Sequence, residues 1–98
     1  MSIPLTIVAI LQALPGFEND VAKALKDCIA PTQAEAGCLQ YDLHTDNNKP
    51  GLFLFFENWA TREEWLVHME SDHLAAMKIA TEGKMEAPVI YEMEKVEG

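Results

Sequence analysis

Apolar residues along the chain recur with two different periods, and each change of period marks a new element. From Ile3 to Leu14 both parities are apolar, with Leu5, Ile7, Ala9 and Leu11 alternating with Val8 and Ile10. A strand of that kind is covered on both faces. Pro15-Gly16 makes a turn, and Phe17, Val21, Ala24, Leu25, Cys28 and Ile29 then fall at the spacing of an amphipathic helix. Pro31 lacks the N–H that would reach the Asp27 carbonyl, so the helix breaks or kinks there, and one more turn leads to Gly37. Cys38 to Thr45 alternates, with Leu39, Tyr41 and Leu43 on a dry face and Gln40, Asp42 and His44 on a wetter one. A turn cluster over residues 46–51 predicts a hairpin to the next strand, Leu52 to Trp59, again apolar on both sides.

Thr61 follows as an N-cap with Glu64 three residues on, a capping box that starts a short helix. His68 and His73 fall where this helix should end and another begin. The inward residues predicted for the pair are Trp65, Leu66 and Met69, then Leu74, Met77 and Ile79. Gly83 stops the second helix, and Val89 to Val96 makes a last strand with Val89, Tyr91 and Met93 opposed to Glu92 and Glu94. The order is βαββααβ in one domain, 1–98, an α+β chain with a four-stranded antiparallel sheet. Strands one and three are apolar on both faces and belong in the centre, with two and four outside, which is the ferredoxin-like arrangement. Its helices cover one sheet face only. The apolar row on the other face predicts a homodimer packed sheet on sheet.

Composition narrows the partners. A 98-residue chain buries only roughly 60–65% of its unfolded surface, so a partner subunit would help it. The net charge of −9, from 16 acids and 7 bases, argues against nucleic acid and anionic membrane. Ile3 to Leu14 imitates a signal peptide, but no Lys or Arg precedes it and Pro15-Gly16 ends it too early to span a bilayer, so a cytoplasmic protein is expected. Cys28 and Cys38 read as buried reduced thiols. The three His residues could in principle bind a metal, but His68 and His73 lie five apart with no metalloprotease pattern, so a metal is possible without being indicated, and no cofactor motif is present.

Candidate chemistry gathers between Trp59 and His73. A buried strand carries Trp59 to its tip and a helical corner sets His68 and His73 above it, as in a pocket between a sheet and its covering helices. His68, His73 and His44 are the candidate catalytic residues; Trp59, Trp65, Tyr41 and Asn58 are candidates for substrate binding. Each also has an ordinary reading: Trp59, Trp65 and Tyr41 as core, His44 as an exposed strand-end residue, His73 as part of a turn.

The Pro15-Gly16 turn, Glu35-Ala36-Gly37-Cys38, Tyr41 to His44, and the spacing of Glu57, Trp59, His68 and His73 resemble the antibiotic biosynthesis monooxygenase family. These are dimeric α+β barrel proteins that include small cofactor-free quinol monooxygenases. The resemblance implies a small phenolic or quinol substrate oxidised by O₂ without flavin, haem or metal, with a His as base. Where a polyketide-tailoring relative has a polar side chain two residues before Glu57, this chain has Phe55. Haem-degrading relatives use an Asn and an iron-ligating His where Ala9 and Lys78 stand here, so haem degradation is not expected. Isomerases of small phosphorylated signalling molecules share the two His positions. An isomerase, and a non-catalytic small-molecule-binding or stress-response dimer, are therefore the alternatives to a monooxygenase.

Overall fold

The computed structural model describes residues 3–98. Four strands and four helical segments follow in the order β1 (Leu5–Gln12), α1 (Glu18–Asp27), α2 (Ile29–Gln33), β2 (Cys38–Thr45), β3 (Leu52–Trp59), α3 (Arg62–Met69), α4 (Asp72–Thr81) and β4 (Val89–Met93). The strands form one antiparallel sheet in the order β2-β3-β1-β4. The two strands with apolar residues on both parities occupy the centre, in a ferredoxin-like α+β fold. The helix does break, but three residues before Pro31: α1 ends at Asp27, whose carbonyl Pro31 cannot reach with an N–H, and the chain resumes after Cys28 as α2, which contains Pro31 in its first turn.

Strand parity sorts the two sheet faces. Ile7, Ala9 and Leu11 of β1, Tyr41 of β2, and Phe53, Phe55, Glu57 and Trp59 of β3 are buried under the helices. Against them pack Val21, Ala24 and Leu25 of α1, Trp65 of α3, and Leu74 and Met77 of α4. Val8, Ile10, Leu54 and Phe56 face the other way and are only partly covered. Val89, Tyr91 and Met93 pair with Ile10, Val8 and Thr6, so they join that open face and are exposed.

Several predicted inward residues point elsewhere, each for a geometric reason. Leu39 is 59% exposed because a bulge between Cys38 and Gln40 displaces it from the ladder. On α3 the inward stripe runs through Trp65 and His68, which leaves Leu66 exposed. On α4 it runs through Leu74, Met77 and Thr81, and Ile79 is 75% exposed on the far side. Cys28 is buried as expected, but Cys38 is only half-buried. The last strand stops at Met93 rather than Val96.

Candidate active site

The site starts with a parity anomaly on β3. Counting by twos from Phe53, the buried row runs Phe53, Phe55, Glu57, Trp59, so a carboxyl lies among core aromatics. Glu57 sits between Ile7 of β1 and Tyr41 of β2 and is 3% exposed. Its Oε1 accepts a hydrogen bond from Trp59 Nε1 at 3.0 Å. Burial pushes the Glu57 carboxyl up to about 7, against the hydrogen bond from Trp59, which pulls it down, and with a smaller push from Glu35. Tyr41 stacks on Phe55 at 4.6 Å, and burial, then the nearby Glu57 charge, raises its phenol well beyond the usual range.

The second half of the site is the corner between α3 and α4. Thr61 caps α3 by accepting from the Glu64 N–H, and Ser71 caps α4 by accepting from the Leu74 N–H. The two caps set the helix starts and so place His68 near the end of one helix and His73 at the beginning of the next. His68 is 2% exposed, and its ring lies against Trp59 with centroids 4.9 Å apart. Its Nδ1 is 2.6 Å from Glu35 Oε2, and His73 Nε2 is 3.0 Å from the same oxygen. A carboxylate only accepts, so each of these ring nitrogens carries the proton and His68 keeps a free Nε2. Burial lowers the His68 pKa, Glu35 opposes that, and His73 adds to the lowering, so the imidazole is held neutral near pH 7.

Glu35 reaches the corner because of how its loop turns. The Glu35 N–H bonds back to the Thr32 carbonyl and its own carbonyl accepts from Cys38 N–H. Gly37 has a φ of +80°, and a Cβ there would collide with the Glu64 side chain. Only glycine suits that position, and its carbonyl also ties the loop to Ala60 N–H.

Between the sheet and the α3–α4 corner lies a cavity of about 80 Å³. His68, Glu57, Tyr41 and Trp65 line it with Phe55 and three methionines, Met69, Met77 and Met85. Of the expected site residues, His68, Tyr41 and Trp65 therefore share this cavity. His73 is linked to it through Glu35 and is itself partly exposed. Trp59 is completely buried behind His68 and outside the lining, so it braces the imidazole and holds Glu57. His44 and Asn58 belong to the open sheet face. His44 lies beside Leu54, and Asn58 bonds to Thr6 and Gln40.

Two residues were not singled out for the site from the sequence. Glu57 was legible from strand parity, as the one carboxyl in a buried row. Glu35 entered only through the family-like stretch Glu35 to Cys38, and nothing local signalled its contact with the imidazoles, which lie 33 and 38 residues away. Together Glu35, His68 and His73 place three ligand-type atoms within 4.8 Å of one another.

The chain matches the family model described as antibiotic biosynthesis monooxygenase over residues 4–78. It belongs to that family. A Pseudomonas aeruginosa protein, PA3566, is 33% identical, with a TM-score of 0.94 over 99% of this chain and 98% of that one. A Caulobacter crescentus CB15 protein, provisionally described as an antibiotic biosynthesis monooxygenase, is 28% identical, with a TM-score of 0.87 over 97% and 92%. A further structure described as an antibiotic biosynthesis monooxygenase has a TM-score of 0.88 over 95% and 99%; at 24% identity it supports the fold alone. No curated protein matches the chain in sequence. Among the described residues no helix is long and apolar enough to cross a membrane.

Proposed function

We propose that the protein is a monooxygenase that oxidises a small phenolic or quinol substrate with O₂ and without a cofactor. The observation that carries this reading is a small, largely apolar cavity in which a neutral imidazole, His68, and a buried carboxyl, Glu57, are the acid–base groups. His68 Nε2 takes the proton of a substrate hydroxyl, while Glu35 fixes the tautomer through Nδ1. The resulting anion is electron-rich enough to reduce O₂ itself. One oxygen atom replaces a ring hydrogen and the other leaves as water. Ring hydroxylation supplies two electrons and quinol-to-quinone oxidation the other two, so no external reductant is needed. Apolar walls keep water away from the anion.

The cavity is smaller than the ~150 Å³ apolar cavity that accommodates benzene. A ring enters by displacing methionine side chains, whose unbranched stems adapt easily. That tight volume favours a second reading, a non-catalytic dimer that binds a small molecule. Lys78 is the one cation in the lining, which gives little support to a phosphorylated isomerase substrate.

The homodimer belongs to the same proposal. Val8, Ile10, Leu54 and Phe56 with Val89, Tyr91 and Met93 make an apolar sheet face that a second copy would cover. His44 and Asn58 lie on that face, away from the cavity chemistry.

Incubating the purified protein with a panel of reduced quinols and following O₂ uptake tests the reaction. His68→Ala is expected to slow uptake by roughly 10²–10⁴-fold. Uptake unchanged in the His68→Ala, His73→Ala double variant would remove His68 as base. Binding of a quinol analogue with no uptake from any substrate would favour the binder.

A further inference from the structure

We infer that Glu35, His68 and His73 form a binding site for one divalent transition-metal ion of the zinc class. This goes beyond the oxygenase reading and does not rest on it; the two compete for His68, so the ion-loaded and the base-active protein are different states. Three side chains from three elements converge: Glu35 from the loop after α2, His68 from the inner face of α3, and His73 from the first turn of α4. Both imidazoles aim a nitrogen at one oxygen, Glu35 Oε2, at 2.6 and 3.0 Å. Two donors and a carboxylate meeting at a point is the arrangement a tetrahedral ion requires, with the fourth position left open.

The rearrangement needed falls on Glu35 and His73, the two partly exposed ligands. Bonds of about 2.0–2.1 Å to a tetrahedral centre put neighbouring ligand atoms about 3.3 Å apart. Glu35 must therefore withdraw by less than about 1 Å from each ring. Its side chain is partly exposed and sits on a loop. The two ring nitrogens, which with its carboxylate oxygen lie within 4.8 Å of one another, close to the same spacing by a shift of the partly exposed His73 ring towards the buried His68. Each neutral ring then binds the ion through the nitrogen now directed at Glu35, and the displaced proton moves to its other nitrogen. Metal-loaded His68 thus carries its proton on Nε2 and cannot serve as the base proposed above.

The surroundings suit a cation. Glu35 also lines an open surface hollow with Glu70, Ser71 and Asp72, so an arriving ion meets three carboxylates outside the two imidazoles. Imidazole with carboxylate is a ligand set for zinc and its neighbours rather than for calcium or magnesium, which prefer oxygen alone. Nothing in the sequence suggested the site, because its third ligand lies 33 residues before His68.

Zinc binding to chelator-treated, folded protein tests the inference, by calorimetry and by competition with a chromogenic chelator. We expect one ion per protomer with a dissociation constant in the micromolar range or below. His73→Ala and Glu35→Gln should each weaken binding by more than the roughly 10–100-fold caused by losing an outer-sphere partner. His44→Ala, which alters an exposed imidazole on the other sheet face, should leave it unchanged. His73 is peripheral enough for His73→Ala to fold, and circular dichroism checks this before titration. Absence of micromolar binding, or wild-type affinity in His73→Ala, would overturn the site and leave the three residues as a hydrogen-bonded relay.

Discussion

Replacing Glu57 with Gln should change how the protein's stability depends on pH. The amide keeps the shape, and its oxygen can still accept from Trp59 Nε1, but it does not titrate. In the folded protein burial holds the carboxyl at about 7, against an ordinary value of 4.5. The native state therefore binds this proton more tightly than the unfolded chain does. The sign follows: stability from Glu57 is full below 4.5, falls as the pH rises towards 7, and is flat above it. At about 1.4 kcal/mol per tenfold in proton affinity, the gap is worth about 3 kcal/mol. That is a large share of the roughly 5–15 kcal/mol that holds a domain together. Urea denaturation of wild type and Glu57→Gln at pH 4, 5, 6, 7 and 8, at fixed protein concentration and with chelator present, measures it. Taking the difference between the two proteins cancels what they share, including the opposite slope from His68, whose lowered pKa costs stability in acid. The variant should gain about 3 kcal/mol on wild type between the acidic and alkaline ends, a relative Tm change on the order of 10–20 °C. Parallel curves would mean that Glu57 is solvated in the folded protein, and the dry cavity would go with it.

Trp59→Phe removes the N–H that stabilises the ionised form of Glu57, so the carboxyl should titrate still higher; carboxyl NMR shifts followed against pH read this directly, and an unchanged midpoint would contradict the hydrogen bond. Gly37→Ala should cost about 1–3 kcal/mol from the left-handed backbone and the contact with Glu64, measured by thermal denaturation. Thr61→Ala removes the cap of α3 and should cost about 1 kcal/mol, checked the same way. Wild type should sediment as the proposed homodimer and Leu54→Asp, on the open sheet face, as a monomer with the cavity residues untouched; a monomeric wild type would remove the dimer, and a variant dimer of unchanged strength would place the contact elsewhere.

Most of the fold was legible because it follows from local periodicity. The residues named their own period: twos in β1 to β3, threes and fours in α1, with Pro31 marking the break and Thr61 the next start. Apolar residues on both parities of strands one and three pointed to the central strands, since the middle of a sheet lies farther from solvent than its edges. Where expectation failed, the cause was non-local or a matter of phase. Leu39 is displaced by a bulge that depends on pairing with β3, and Ile79 is apolar on a face that the helix turns to solvent.

For the site the division is sharper. Trp59, His68 and His73 could be nominated from their places at a strand tip and a helix corner, but proximity in sequence does not say which way a ring points. Strand parity already set His44 opposite Tyr41, but only the packed structure turns Trp59 into a brace, shows which sheet face the helices cover and so leaves His44 and Asn58 outside the cavity, and brings Glu35 across more than thirty residues to both imidazoles. Periodicity is a property of neighbours and survives in the sequence. Convergence of side chains depends on loop closure and on which layer covers which, and those exist only once the chain has folded.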